Sequence, residues 1–236
     1  MGREKIFRFK QFCVLNDKTA MKVGTDGVLL GAWCEIEGAR NILDVGTGCG
    51  LIALMLAQRN KNANICSIDI DGDAIEEAIC NFKLSPWADR LVAKEADFNV
   101  FDFDERFDVI VSNPPFFTNG ILPPCERRSH ARHSMTLTYQ GLISRSRDLL
   151  MPEGTLAIIT PADVSAEIRR CVAQSRMSVK RQTSVVPVVG NAPKRVLWEL
   201  VPYEANTTIG SIAIETVAGC YSKEYVELTK DFYIKF

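Results

Sequence analysis

A strand over 40–45, carried by Ile42, Leu43 and Val45, ends in Gly46, Gly48 and Gly50, and Leu51, Ile52, Leu54 and Met55 follow at helical spacing. A strand that passes into a helix through so short a turn must fold the helix back onto its sheet, the first half of a βαβ unit. The same alternation continues along the chain. Strands are predicted over 64–69, 91–96, 107–112, 154–160, 179–189 and 196–203, and helices over 50–60, 73–84, 138–150 and 162–174. Over 73–84 the helix rests on Ala74, Ile75, Ala78, Ile79 and Phe82 falling on one face. Connections of this kind are right-handed, so the chain is predicted to be α/β, doubly wound, around a mainly parallel seven-stranded sheet. The first twenty residues alternate around Phe7, Phe9, Phe12 and Val14 and read as a short strand or extended arm. A turn over 21–26 follows, with Thr25 or Asp26 as the N-cap of a helix starting near Gly27. A last strand and helix are expected between Ile212 and Phe236.

Ligands of doubly wound sheets bind at the carboxyl ends of the strands. Asp44, Asp69, Asp97 and Asn113 each fall at such an end. Gly46, Gly48 and Gly50 are spaced as G-x-G-x-G, which lets the backbone turn tightly and approach a ligand closely. The helix N-terminus behind them suits a carboxylate. Asp69 follows Gly50 by 19 residues, where an acid accepts hydrogen bonds from two ribose hydroxyls. Asp71 is read as part of the turn and Asp73 as the cap of the next helix. Asp97 is placed to accept from an adenine amine, with Phe98 beside the ring. Together these describe a site for a nucleoside-bearing cofactor.

Asn113-Pro114-Pro115-Phe116 selects the chemistry. The lone pair of an aromatic amine is delocalised into its ring, so the nitrogen is a weak nucleophile. The Asn113 side-chain oxygen and the Pro114 carbonyl offer two acceptors for the two amine hydrogens, favouring a pyramidal nitrogen with its lone pair aimed at a donor. The prolines stiffen the turn and lack N–H groups. Phe116 is placed to stack on the base, a contact worth ~1–3 kcal/mol. The combination points to transfer of a methyl group from S-adenosylmethionine to a planar nitrogen, with S-adenosylhomocysteine as product. Positioning supplies most of the acceleration. No metal is expected, because His130 and His133 form an H-x-x-H that no carboxylate or cysteine cluster accompanies.

With 47% hydrophobic residues, the 236-residue chain fits one domain, in which 1–38 form an N-terminal extension contributing to the cofactor site. It has no apolar run long enough to span a membrane and no signal-peptide pattern at its start, so a cytoplasmic protein is expected. Its eight cysteines form no C-x-x-C and are expected to stay reduced. Net charge is −1, but the charge is unevenly spread. Six acids and one base lie between Glu95 and Asp108, whereas seven bases and no acid lie between Ile168 and Trp198. Lys194 and Arg195 in that window, with Arg127, Arg128 and Arg132 in the long loop over 113–137, are the candidate contacts to RNA phosphates.

Lys22-Val23-Gly24-Thr25-Asp26-Gly27, the glycine turn, Asn113–Phe116, Ala131–Ser134, Pro193–Leu197 and Leu228–Tyr233 together resemble the bacterial valine-tRNA adenine N6-methyltransferase family over nearly the whole chain. The resemblance implies a class I methyltransferase fold of Rossmann-like type and modification of adenine 37 of tRNA. It implies cofactor contact at Gly24, Thr25, Asp44, Gly46, Gly48, Asp69 and Asp97, and target-amine contact at Asn113 and Phe116. tRNA is then the partner, with no membrane, no metal and, by a small margin, a monomer. Phe117 stands where related rRNA guanine N2-methyltransferases carry His. Methyltransferases of release-factor glutamine usually carry Tyr in place of Phe116 and a helical N-terminal domain. A DNA adenine methyltransferase is expected to carry a separate recognition domain. A non-catalytic RNA-binding module has no need for Asp69 and Asn113.

Overall fold

The computed structural model describes residues 6–19, 22–114 and 137–235. Strands β1 (Ile6–Arg8) and β2 (Cys13–Leu15) pair antiparallel as a separate two-stranded sheet. The arm read from the sequence is therefore a small hairpin. Helix α1 (Thr25–Trp33) leads to β3 (Asn41–Val45), α2 (Leu51–Arg59), β4 (Asn64–Asp69), α3 (Gly72–Lys83), β5 (Leu91–Glu95) and β6 (Phe107–Ser112). Helix α4 (Tyr139–Leu149), β7 (Leu150–Pro161), α5 (Ser165–Gln174), β8 (Ser178–Val188) and β9 (Arg195–Val201) follow. Strands β10 (Thr208–Val217) and β11 (Cys220–Tyr221) and helix α6 (Lys223–Thr229) complete the described chain.

The large sheet has the order β11-β10-β8-β9-β7-β6-β3-β4-β5. From β5 to β7 all pairings are parallel, as βαβ crossovers require. β9 runs antiparallel between β7 and β8. The seven expected strands form the body of this sheet. Two further strands extend it to nine: β10, which contains the last strand expected from Ile212 but starts at Thr208, is parallel to β8, and β11 is antiparallel to β10. Most of β10 is exposed or half-buried, so it carries little of the apolar signal that marks a central strand.

Two apolar layers cover the sheet. One joins α1 and α2 to Phe82 of α3, to Phe9, Phe12 and Val14 of the hairpin region, and to Tyr225 and Phe232 near the chain end. The other holds Leu142 and Ile143 of α4 and Ile168 and Val172 of α5 against β6, β7 and β9. Helix caps differ from the sequence reading at two places. Gly24, not Thr25 or Asp26, is the N-cap of α1, and it makes no side-chain cap bond. Asp71, not Asp73, caps α3 by accepting from the Asp73 N–H at 3.0 Å. β7 begins four residues before the predicted Gly154, because Leu150 joins the ladder opposite Phe107.

Candidate active site

The turn after β3 is built so that its outer side stays open. Gly46, Gly48 and Gly50 all have positive φ, at 71°, 55° and 82°. At Gly46 and Gly48 a Cβ would meet nothing within 4 Å, so the backbone there faces free space. Gly50 differs, since a Cβ there would stand 2.5 Å from Phe82 of α3. The turn is fastened from behind: the Gly46 and Thr47 N–H groups donate to the Ile68 carbonyl at 2.9 and 3.0 Å. The Asn81 amide of α3 donates to the Cys49 carbonyl at 2.8 Å.

Asp69, at the end of β4, accepts from the Gly48 N–H at 2.9 Å through one oxygen and from the Asp71 N–H at 3.0 Å through the other. Burial raises its carboxyl above the ordinary value, and the Asp71 and Gly48 amides oppose the shift. Asp44 is fully buried. Its carboxylate accepts from the Thr47 hydroxyl at 2.6 Å, so it shapes the turn from beneath rather than lining it. Burial pushes Asp44 up to about 7, against the pull of the Thr47 hydroxyl and the Ala53 amide. Asp97 lies two residues beyond β5 and is half-buried. One of its oxygens accepts from the Asn99 backbone and side-chain amides at 2.8 and 2.9 Å. Phe98 is buried in the core with Phe103, so its ring is packed inward.

The acceptor side starts at the end of β6. Val45 and Ser112 are partners across β3 and β6, and the Ser112 hydroxyl donates to the Val45 carbonyl at 2.8 Å. Asn113 and Pro114 thus leave the sheet beside Gly46, Asn113 half-buried and Pro114 buried. Phe116, Arg127, Arg128, Arg132, His130 and His133 lie outside the described residues. Among the described residues no group of His, Cys, Asp and Glu could hold a metal ion.

The start of α1 joins the same end of the sheet. A Cβ on Gly27 would meet Leu51 at 3.2 Å, so the first turns of α1 and α2 touch. Gly24 and Thr25 are exposed beside them. Asp26 pairs with Arg195 at 2.8 Å, both partly exposed. This pair binds the start of α1 to the start of β9, and nothing in the spacing of two residues 169 apart announces it. Lys194 is exposed next to it, and its carbonyl accepts from Ala162 at 3.1 Å.

The topology divides the acid-free window. Lys194 and Arg195 stand at the carboxyl end of β7, whereas Arg176 and Lys180 flank the start of β8 at the opposite end. Arg181 is paired with Glu199 at 2.7 Å and stacked 3.8 Å from the Trp33 ring centre. Sequence reasoning missed Glu77 and Asn81, polar residues on the inner face of α3. The available signal was an acid and an amide at positions three and seven after Ala74, on the side that carries the apolar residues.

A family model described as "Methyltransferase small domain" matches residues 27–183. Relatives named tRNA1(Val) (adenine(37)-N6)-methyltransferase include a Bacteroides thetaiotaomicron protein, 44% identical over 229 residues, with 97% of each chain covered. A Phocaeicola vulgatus protein of the same name is 45% identical over 228 residues, again with 97% of each chain covered. Among solved structures, Atu636 from Agrobacterium tumefaciens, described as a predicted O-methyltransferase, superposes with a TM-score of 0.70 at 20% identity. The match covers 88% of this chain and 96% of that one, a likeness of fold. No helix among the described residues is long and apolar enough to cross a membrane. The chain belongs to the methyltransferase small domain family.

Proposed function

We propose that this member of the methyltransferase family transfers a methyl group from S-adenosylmethionine to the exocyclic N6 of adenine 37 in valine tRNA, in the cytoplasm, as a single domain. One observation carries the reading. The Val45–Ser112 register sets Asn113 directly beside a glycine turn whose outer face is open. The full-length relatives named for that reaction support the choice of base and RNA.

S-adenosylmethionine, when bound, supplies an electrophilic methyl on a sulfonium. The residues present suit such a ligand: Gly46 and Gly48 leave room along the backbone, and Asp69 is held in place by two amides. Asp69 engages the ribose, with Gly24 and Thr25 closing the other side. Asp97 faces the adenine amine of the cofactor. At the acceptor, the Asn113 oxygen and the Pro114 carbonyl take the two N6 hydrogens, and Phe116 stacks on the base. With the donor bound, N6 held by Asn113 and Pro114 would take the methyl carbon as the carbon–sulfur bond broke, leaving S-adenosylhomocysteine. The proton leaves N6 for solvent afterwards, so no strong base is needed. Lys194, with Arg127, Arg128 and Arg132, meets tRNA phosphates, while Arg195 divides its guanidinium between that surface and Asp26.

Nucleoside mass spectrometry of tRNA from a deletion strain tests this. Loss of N6-methyladenosine at position 37 of valine tRNA is expected, with its return on complementation. An unchanged tRNA profile with loss of a methylated protein glutamine would replace the proposed substrate.

A further inference from the structure

Glu77 is a charged residue only 4% exposed, on α3, outside the reaction steps described above. Its carboxylate is occupied by backbone of the N-terminal extension. One oxygen accepts from the Asp17 and Lys18 N–H groups at 2.5 and 2.9 Å, and the other from Thr19 at 3.2 Å. Burial raises the Glu77 carboxyl, and the amides of Lys18, Asp17 and Thr19 outweigh it and leave it below the ordinary value. The same backbone is gripped from its other side. The Lys22 ammonium donates to the carbonyls of Asn16 and Asp17 at 3.2 and 2.9 Å. The peptide dipoles of this turn lie between a carboxylate and an ammonium, an arrangement that stabilises all three parts.

Asn81, one helical turn after Glu77 and fully buried, links this segment to the glycine turn. It accepts from the Leu15 N–H at 2.7 Å and donates to the Leu15 and Cys49 carbonyls at 3.0 and 2.8 Å. One side chain thus bridges β2 and the residue before Gly50. From Lys22 only two residues lead to Gly24.

We infer that Glu77 and Lys22 are positioning residues for cofactor binding: they clamp Asn16–Thr19 and thereby fix Gly24 and Thr25 beside the glycine turn, in a register that Asn81 sets. This rests on the reading that Gly24 and Thr25 line the cofactor site. Among the described residues the side-chain bonds of Glu77, Lys22 and Asn81 run to 15–19 and to Cys49, on the donor side, so the loss of the clamp is expected to act on cofactor affinity and not on the transfer step.

The test compares Glu77→Gln, Lys22→Met and Gly24→Val in the full chain. Each is followed by calorimetric titration with S-adenosylmethionine, thermal melting, and steady-state transfer to tRNA. Glu77→Gln keeps the shape and removes the charge. It is expected to raise the Kd and KM for the cofactor about tenfold, the loss expected from hydrogen bonds to a charged acceptor. Turnover at saturating cofactor stays within about twofold, the signature of binding lost equally in ground and transition state. Lys22→Met removes an exposed group and acts in the same direction by about threefold, and it carries the test if Glu77→Gln does not fold. Gly24→Val examines the underlying reading alone: Gly24 is exposed and extended, and a Cβ there meets only the Lys22 carbonyl at 3.5 Å, so the melting temperature is expected to hold while cofactor affinity falls. If Gly24→Val weakens the cofactor but the two clamp variants leave its affinity unchanged, the inference is overturned and the reading stands. If Gly24→Val leaves affinity unchanged, the reading itself is lost. A fall in melting temperature and turnover together, with no selective change in cofactor KM, would reduce Glu77 to a structural residue.

Discussion

The two sides of the carboxyl edge of the sheet are built on different plans. Around β3 and β4 the polar side chains that surround the open turn are already bonded to their own chain. Asp69 holds Gly48 and Asp71, Asp44 holds Thr47, and Asn81 holds Cys49. Around β7 and β9 the site is edged by long cations, with Lys194 exposed and Arg195 partly exposed and tied to Asp26. A small ligand that must present one methyl group needs a rigid, pre-arranged cradle. An RNA backbone needs charge and reach, and its phosphates tolerate side chains that adjust. The difference separates the consequences of mutation: changes on the first side act through geometry, and changes on the second through salt-dependent affinity.

The sharpest way to break this division is Asn113→Ala. It should lower kcat by about 10²–10³, the loss found when one pre-arranged hydrogen-bonding group is removed from a transition state. Cofactor affinity should stay within about twofold in calorimetry. Equal losses in both would erase the line between donor and acceptor sides. Asp69→Ala comes next and should weaken S-adenosylmethionine by roughly 1.5–3 kcal/mol with the melting curve retained. In the proposed site the ionised form of Asp69 is the one that would accept the ribose hydrogens. Affinity should therefore fall as pH is lowered through the Asp69 carboxyl, and begin to fall above the ordinary 3.8, because burial raises it.

Asp44 gives a stability test with the opposite sign. Its folded value of about 7 lies above the ordinary 3.8, so the folded state binds the proton more tightly than the unfolded one. Stability from this group is greatest below about 4 and is lost as pH rises towards 7. Asp44→Asn should flatten that part of the curve in chemical denaturation at several pH values, and a slope unchanged by the substitution would contradict the burial argument. The smallest effect belongs to the RNA side. Lys194→Ala should reduce the salt dependence of tRNA binding by about one unit and leave cofactor affinity alone. Arg195→Ala should do the same and also weaken the cofactor slightly, because it releases Asp26 in the first turn of α1. Identical cofactor affinity in both variants would show that the Asp26 pair does not couple the two sides.

Much of this arrangement was legible in the residues. Strands 64–69 and 107–112 are found with the bounds expected, since Ile65 and Ile68 in the first and Phe107, Val109, Ile110 and Val111 in the second are buried in the parallel part of the sheet. Asp69 ends the first strand and Asn113 directly follows the second, and their place follows once the strands are known. Other features depend on contacts between distant segments. The Arg195–Asp26 pair spans 169 residues, and the grip of Glu77 on Asp17–Thr19 spans about 60. β10 escaped full recognition because its half-exposed residues lack a clear period, and only its pairing with β8 defines it. The basic window is divided for a related reason: Arg176 and Lys194 lie in one acid-free stretch of chain, but antiparallel β8 and β9 carry them to opposite ends of the sheet. The cap of α3 turned on a choice between acids two residues apart, and backbone dihedrals at Asp71 decide it.

One proposed site joins the open glycine turn and Asn113 and moves a methyl group to N6 of adenine 37. Its most direct test is a single-turnover reaction of the purified protein with methyl-labelled S-adenosylmethionine and valine tRNA transcript, analysed by nucleoside mass spectrometry. Label should enter N6-methyladenosine at position 37, vanish when that adenine is replaced by guanine, and vanish with Asn113→Ala despite bound cofactor. Label at another nucleotide, or undiminished transfer by the Asn113→Ala protein, would contradict the account.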